Sequence, residues 1–295
     1  MAEMSTLVCF GFGYCARHFA AAFGQHFSTV VGTTRDPHKV ADESVELLMF
    51  SEHPSEPLRE AVAGASHLLI SAAPNDAGDA VLTVFGEEIA AAESLQSIVY
   101  LSSTGVYGDH RGARVDEATP TVPAHERGGA RVKAEFDWQA LGRRCGVPVA
   151  VLRLGGIYGP GQNAFVRLLS GRAHRIDKPD HVSNRIHVAD IVQAIEAAFR
   201  LTYNGIVNVT DGQPASPNEQ IEYAAKLLGI APPPLLPLDE AKRTLSPFLM
   251  SFYEGCARVR NDRLKNDLGV TLRYPDYRAG LDALLKDGFE LAPRN

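Results

Sequence analysis

Several features that would place this chain in a specialised class are missing from its sequence. No apolar run approaches the roughly 18–20 residues that a membrane-spanning helix needs, and the first residues lack the charged leader and cleavage site of a signal peptide. The cysteines, at positions 9, 15, 145 and 256, show no C-x-x-C spacing, so neither a zinc site nor a disulfide framework is predicted. We therefore expect a cytoplasmic protein without a membrane partner or a bound metal.

Basic clusters are missing as well. The formal net charge is −6, and Lys and Arg never stand in runs longer than a pair. Because contacts to phosphate backbones need a basic face, this composition argues against a nucleic-acid partner. What remains is ordinary for a soluble globular protein, with 45% hydrophobic and 22% charged residues in a chain long enough for one or two domains.

Short apolar runs alternate with helical segments through the first half of the chain. The runs are 6–10, 28–33, 45–50, 67–71, 97–102 and 149–154, and the helical candidates are about 14–25, 57–63, 79–93 and 128–145. Buried strands that alternate with helices are typical of a parallel sheet covered on both faces. The sequence therefore predicts a doubly wound α/β fold.

After residue 155 the pattern is less regular. A glycine-rich loop at 155–162 precedes a predicted strand at 206–210 and predicted helices at 189–201, 216–228, 260–268 and 275–287. The stretch 231–237 has four prolines, which remove amide donors and fix φ. We expect a connector there rather than a helix.

The stretch CFGFGYCA (9–16) follows the first predicted strand and opens the first predicted helix. Gly11 permits a tight turn, and Gly13 lets the backbone approach a pyrophosphate that the free N–H groups of the helix N-terminus then bind. Ala16 takes the third position of the G-x-G-x-x-G/A pattern. The motif is weak alone, but its place in the first βαβ unit predicts dinucleotide binding. A glycine turn without a ligand is the alternative.

The end of the second strand bears on the choice of cofactor. NAD is usually held there by an acid that accepts from the ribose. This position holds no acid but the residues Thr33, Thr34 and Arg35. Two hydroxyls and a guanidinium suit the 2′-phosphate of NADP better than the ribose diol of NAD. We expect NADP, with NAD still open and Arg35 as a solvated loop residue in the alternative case. The predicted cofactor-binding residues up to this point are Gly11, Phe12, Gly13, Tyr14, Cys15, Thr33, Thr34, Arg35, Ser71, Ala72 and Ala73.

Five further stretches lie in the order found in one family. They are 101–109, 115–123, 152–162, 185–195 and 207–216. From about residue 6 to 230 the chain resembles the extended short-chain dehydrogenase/reductases, the NAD(P)-dependent epimerase/dehydratase proteins. The resemblance implies a Rossmann domain at 1–160, to which 187–210 return, and a smaller α/β substrate domain formed by 161–186 and 211–295.

The family's chemistry uses a Ser or Thr after the fifth strand, a Tyr as acid or base, and a Lys four residues later. Ser103 matches the first position. With Glu135 in the family's register, Arg127 stands at the Tyr position and Arg131 at the Lys position. No tyrosine occurs between residues 107 and 158, so the family's tyrosine is missing in this register and in any shifted one.

A register shifted by two residues puts Gly129 and Lys133 at the two positions instead. Arginine keeps a pKa above 12 and cannot act as a base, but it donates hydrogen bonds. Arg131 could therefore hold the cofactor ribose, and Arg127 could bind an anionic group as an electrophile. The alternative is that both arginines point to solvent. His125, the nearest histidine, is more simply a loop or capping residue than a base.

Two functions remain open. One is an NADP-dependent oxidoreductase or epimerase/dehydratase-like enzyme with substitute acid–base residues. Its small substrate would be anionic or nucleotide-linked if Arg172, Arg175 and Arg185 line the cleft, although a solvated basic rim explains these arginines equally well. The other is a non-catalytic NADP-binding sensor or regulatory protein.

The resemblance also implies a homodimer. In this family two helices, here about 79–93 and 128–145, commonly pair with their copies. Ala134, Trp138 and Leu141 form an apolar stripe on the second of these helices. The same stripe could instead pack on the sheet of its own chain.

Overall fold

A computed structural model describes residues 5–41 and 43–288. The strands are β1 (Thr6–Phe10), β2 (Thr29–Thr34), β3 (Glu46–Met49), β4 (His67–Ile70), β5 (Ser97–Ser103), β6 (Arg114–Val115), β7 (Val149–Leu154), β8 (Gly156–Tyr158), β9 (Arg175–Asp177), β10 (Arg185–His187), β11 (Gly205–Val209), β12 (Leu235–Pro237) and β13 (Arg258–Val259). The helices are α1 (Tyr14–Phe23), α2 (Glu56–Ala63), α3 (Ala80–Ala91), α4 (Glu126–Cys145), α5 (Ala164–Leu169), α6 (Val188–Arg200), α7 (Pro217–Leu228), α8 (Leu238–Thr244), α9 (Pro247–Met250), α10 (Asp262–Asn266) and α11 (Tyr277–Lys286).

The main sheet is seven-stranded in the described ranges, with the order β11-β7-β5-β4-β1-β2-β3, and each neighbouring pair is parallel. From β1 the chain builds outward to β2 and β3, and then returns to add β4 on the other side of β1. The predicted doubly wound, Rossmann-type fold is confirmed. The point where the strand order reverses lies between β1 and β4, which is where such sheets bind ligands.

Helices cover both faces of the sheet because its central strands are apolar on both sides. On one face α1 packs against α6, with the rings of Phe19 and Phe199 5.8 Å apart. On the other face α2, α3 and α4 bury Leu58, Phe85 and Trp138 against the strands. No helix in the described ranges is both long and apolar enough to cross a membrane.

The apolar stripe of α4 is part of this second core. Ala134, Trp138 and Leu141 are at most 6% exposed and pack on the sheet of their own chain. The Trp138 indole N–H also donates to Asp79 Oδ2 at 2.9 Å, and Asp79 caps α3. The stripe therefore offers no surface to a second copy, and a homodimer would need another face of α4.

A smaller lobe is built mainly from the second half of the chain. Its helices α5, α7 and α11 share a core around Ile221, Tyr277 and Leu281. Three short parallel pairs lie outside the main sheet, β8 with β10, β9 with β12 and β6 with β13. β11 pairs with β7 at the edge of the main sheet. The proline-rich connector contains no helix, as predicted, but it contains the short strand β12, which was not predicted. The domain boundaries given above stay a prediction.

Candidate functional site

The glycine loop after β1 is held by the end of β2. Gly11 N donates to Thr33 Oγ1 at 2.9 Å, and Phe12 N donates to Thr33 O at 2.8 Å. Gly11 has a φ of +81°, and a Cβ there would lie 2.7 Å from Ala72 N. Only glycine fits this turn. The carboxyl ends of strands β1, β2 and β4 thus lie close together, as the sequence predicts.

The N-terminus of α1 is open above this loop. No side chain caps α1, which has ten residues, and a Cβ at Gly13 would meet only Gly11 O at 3.8 Å. The N–H groups of the first turn and the positive end of the helix dipole are therefore available to an anion. No contact within the chain requires a glycine at position 13. A glycine there instead allows a bound anion to approach the backbone closely.

Two of the predicted cofactor residues send their side chains into the protein. Phe12 is 4% exposed and packs against Gly32, where a Cβ would lie 2.6 Å from the ring. Gly32 was missed by the sequence analysis, although a glycine inside a strand often marks such a close approach. Cys15 is also buried, and burial raises the pKa of its thiol to about 12. Only its backbone N–H remains for a cofactor.

Cations surround the outer end of the loop. Arg35 is exposed after β2, and the Lys39 ammonium donates to Phe12 O. Burial and the nearby charge of Arg17 lower the pKa of Lys39. Thr34 Oγ1 accepts from Asp36 N at 3.0 Å and so shapes the turn that carries Arg35. Neither Lys39 nor Arg17 was predicted, because their approach to the loop depends on the path of the chain after β2.

The segment after β4 completes the floor of this site. Ser71 N and Ala72 N both donate to Phe10 O at 2.8 Å, and Ala73 is exposed beyond them. These contacts fix the segment beside Gly11. A dinucleotide bound at the reversal point would lie over these two segments.

Ser103 stands at the carboxyl end of β5. Its Oγ accepts from Gly105 N at 3.1 Å, which leaves the hydroxyl proton free to donate elsewhere, and the side chain is partly exposed. His125 caps α4, with Nδ1 accepting from Gly128 N at 3.0 Å. Because Nδ1 accepts, this hydrogen bond favours the tautomer with the ring proton on Nε2. The capping interpretation of His125 agrees with this geometry.

The two arginines of α4 diverge from one another. Arg131 is half-buried and donates to Leu101 O at 2.9 Å, and its charge lowers the pKa values of Tyr100 and Asp79, although burial raises both overall. Arg127 is exposed, lies 4.4 Å from the centre of the Phe248 ring and donates to Ser251 Oγ. Arg131 therefore does not simply point to solvent, whereas Arg127 is exposed and lies on the surface beside Phe248.

The side-chain directions along α4 favour the register aligned on Glu135. Glu135 is 3% exposed, and Arg131, one turn before it, faces the same interior. Lys133 is instead exposed and pairs with Asp137 at 2.5 Å. The shifted register would place the family's lysine on this outer surface.

A buried network lies behind Ser103. The Arg153 guanidinium donates to both carboxylate oxygens of Glu135, at 2.7 Å for the closest contact, and Ser102 Oγ donates to the same carboxylate. Arg153 also donates to Tyr107 OH, which donates to Asn208 Oδ1. This network ties α4 to β5, β7 and β11 beneath the site.

Tyr107 and Tyr158, the nearest tyrosines before and after α4, both form hydrogen bonds away from Ser103. Tyr107 is fully buried in the network above, and Tyr158 OH donates to Asp276 O at 3.2 Å. Burial raises the pKa of both phenols. Neither phenol is placed to exchange a proton beside Ser103.

The three arginines considered for the substrate have structural partners. Arg175 pairs with Glu222, and Arg185 is buried and donates to Gln220 Oε1 at 3.0 Å. Arg172 is exposed and bonds to Ser170. They do not form a basic rim around one ligand.

The comparisons with known proteins agree with this geometry. A model of the NAD dependent epimerase/dehydratase family matches residues 8–209. The chain belongs to this family. A solved structure of a functionally unknown conserved protein from Silicibacter pomeroyi is 44% identical, covers 97% of this chain and 100% of its own, and superposes with a TM-score of 0.88.

Two curated relatives match a shorter part. One, named 3-diazoavenalumate denitrifying reductase, from a Streptomyces species, is 31% identical over 57% of this chain. Protein YeeZ of Escherichia coli K12 is 33% identical over 63% of this chain. The matches span 58% and 62% of the lengths of these relatives.

Proposed function

We propose that this chain is a cytoplasmic NADP-dependent oxidoreductase or epimerase/dehydratase-like enzyme that acts on a small substrate without the family's tyrosine. The observation that carries the proposal is the open α1 N-terminus over Gly13, set against a loop that only glycine at position 11 permits. Such a cradle has no use in packing and fits a pyrophosphate.

The preference for NADP rests on charge. Arg17 and Lys39 lie near one another at the outer end of the loop, where the ribose of the adenosine half would lie, Arg35 is exposed directly after β2, and Asp36 is an acid near Lys39. A 2′-phosphate there would gain charge-assisted hydrogen bonds. NAD would leave these cations without an anion.

The remaining residues divide the chemistry between them. The nicotinamide supplies or accepts the hydride when the cofactor is bound. Ser103 would donate its free hydroxyl proton to the substrate oxygen on which negative charge develops, and Arg131, which donates to Leu101 O, would hold the ribose of the bound cofactor. Since arginine stays protonated, the activity would lack the pH dependence that a titrating tyrosine gives to this family. The name of the Streptomyces relative, a reductase, supports hydride transfer.

A non-catalytic NADP sensor is the second candidate, because Tyr107 and Tyr158 are both engaged away from Ser103. Transfer of deuterium from C4-labelled NADPH to a product distinguishes the two. An enzyme transfers the label, whereas a sensor binds NADPH and transfers none.

Calorimetric titration with NADPH and NADH tests the cofactor assignment. We expect NADPH to bind more tightly than NADH. Arg35→Ala should weaken NADPH by about 1.5–3 kcal/mol, the contribution of charge-assisted hydrogen bonds to a phosphate, and leave NADH nearly unchanged. Arg143→Gln, an exposed change at the far end of α4, is the matched control and should alter neither affinity.

Gly13→Val tests the cradle itself in the same titration. The valine side chain would occupy the pyrophosphate position and should abolish binding of both nucleotides. The fold should remain intact, since a Cβ there makes no close contact within the chain. Unchanged NADPH affinity in this variant would refute the cofactor site, and tighter binding of NADH by the unmutated protein would refute only the preference.

A further inference from the structure

An arginine at the start of α4 and two exposed phenyl rings from the region of α9 form one surface. Phe248 and Phe252 are 61% and 59% exposed, and their rings stand nearly perpendicular with centres 5.3 Å apart. The Arg127 guanidinium lies over the Phe248 ring. We call Arg127, Phe248 and Phe252 the aromatic platform. Large apolar side chains left exposed together commonly mark a binding surface.

In the described ranges the positive charge of Arg127 in the aromatic platform is not paired with a carboxylate. A guanidinium has five N–H donors, and the contacts described for Arg127 use one of them, to Ser251 Oγ. In the described ranges Arg127 forms no ion pair, whereas Arg59, Arg153 and Arg175 each pair with a glutamate. The spare donors are arranged to meet the two oxygens of a carboxylate side by side.

The platform stands beside the reacting end of the site. Arg127 is in the first turn of α4, and that turn touches the segment after β5, where a Cβ at Gly128 would lie 3.2 Å from Gly105 O. Gly105 in turn donates to Ser103 Oγ. The helix turn that carries Arg127 therefore packs on the loop that follows Ser103, at the end of β5 rather than beside the phosphate loop.

From these contacts we infer that the platform binds the substrate and that the substrate is an aromatic carboxylate. Its carboxylate pairs with Arg127, and its ring packs against Phe248 and Phe252 in the edge-to-face or offset arrangements that aromatic rings prefer. The inference rests on the proposed function, because it names the substrate class of the same cleft. It also assigns a role to the arginine that replaces the family's tyrosine, which is to hold the substrate.

Binding of simple probes tests the inference. Benzoate, benzamide and cyclohexanecarboxylate are titrated into the protein, with and without saturating NADPH, by ligand-observed NMR. We expect benzoate to bind at least tenfold more tightly than benzamide, which lacks the charge, and severalfold more tightly than cyclohexanecarboxylate, which lacks the flat ring.

Two variants locate the binding. Arg127→Gln should weaken benzoate about tenfold and leave NADPH affinity unchanged, while Arg143→Gln on the same helix should leave both unchanged. Phe248→Leu should remove the preference for benzoate over cyclohexanecarboxylate and keep the preference for a carboxylate over an amide. Both changes are at exposed positions, so the fold should tolerate them.

The outcomes separate the two proposals. Equal affinities for benzoate and benzamide, or benzoate binding that Arg127→Gln leaves unchanged, would overturn the aromatic-carboxylate inference. The same holds if uridine diphosphate binds in an Arg127-dependent way and benzoate does not. Absence of NADPH binding would overturn the proposed function, whereas Arg127-dependent benzoate binding in that case would still support the platform.

Discussion

Asp211 is a buried acid whose ionisation opposes folding. It is 3% exposed, its Oδ1 accepts from Gln213 N, and its Oδ2 has no hydrogen-bond partner in the described ranges. Burial, helped by the nearby acids Asp276 and Asp190, raises the pKa of Asp211 to about 7, although the hydrogen bond from Gln213 N and the charge of Arg185 oppose the shift. The folded protein is therefore more stable when the Asp211 carboxyl is protonated.

The raised pKa predicts a loss of stability as the pH rises. Because the pKa in the folded state exceeds the ordinary value of 3.8, the contribution of Asp211 is fully present below about pH 4 and is lost as the pH rises through 7. Asp211→Asn should therefore be more stable than the unmutated protein at pH 8, by about 3–4 kcal/mol, and should gain no more than about 1 kcal/mol at pH 4.5. Urea unfolding at the two pH values measures this.

The exposed change Asp76→Asn serves as the control for Asp211→Asn and should give the same unfolding free energy as the unmutated protein at each pH. A gain from Asp211→Asn that is equal at both pH values would contradict the prediction. It would show that the amide acts through packing or hydrogen bonding, and that the carboxyl does not titrate in this range.

At single residues, the sequence predicted what depends on local backbone geometry. Gly11 follows from the motif because its turn needs a positive φ, and Thr33 follows from its place at the end of β2. Lys39 does not, since its contact with Phe12 O depends on a loop path that no periodicity encodes. The direction of the Arg127 side chain depends on Phe248 in α9 and on Ser251 directly after it, more than a hundred residues away in sequence. It could therefore not be predicted either.

Between elements, the Arg153–Glu135 pair is the main polar link, since it joins β7 to α4 where both side chains are 5% exposed. Removing one partner leaves the other charge buried and unpaired. Glu135→Leu and Arg153→Leu should therefore each destabilise the fold by about 3–5 kcal/mol, and the double variant should lose clearly less than the sum. Urea unfolding of the four proteins gives this coupling energy.

The Lys133–Asp137 pair on the same helix is the matched control. It is solvent-exposed and spaced at i,i+4, so Asp137→Ala should cost no more than about 0.5 kcal/mol. Additive losses in the Glu135 and Arg153 cycle would mean that the two side chains stabilise the fold independently of their contact.

The elements themselves were predicted unevenly. β1 and β7 were placed to the residue, and α3 and α4 to within two residues at each end, because long apolar runs and helical periodicity mark them. The two- and three-residue strands β6, β8, β9, β10, β12 and β13 were missed. Two or three residues are too few to show the alternation of apolar and polar residues that marks a strand. The pairing of these segments also depends on partners far away in the sequence.

At the scale of the whole molecule, we propose a homodimer formed by the outer faces of α3 and α4. Phe136 is 65% exposed on α4, away from the buried stripe, and the Arg144–Glu87 ion pair ties the two helices into one surface. Light scattering at micromolar concentration should give twice the chain mass of 31.9 kDa. Phe136→Asp should shift this mass towards the monomer, while Leu169→Asp, at an exposed site on α5, should not.

A monomer mass for the unmutated protein would end the dimer proposal. A dimer that survives Phe136→Asp would place the interface on some other face. Neither result affects the cofactor site, since Phe136 lies on the outer side of α4.

The position of β11 has a consequence for how the protein is made. β11 is the neighbour of β7 in the main sheet, but roughly fifty residues of chain separate the two, and they build β8, α5, β9, β10 and α6 first. At ribosomal speeds of about 5–20 residues per second, the edge of β7 stays open for several seconds of synthesis. In the interval before residue 209 leaves the exit tunnel, this unpaired edge exposes the nascent chain to aggregation, and a chaperone that covers the edge would protect it.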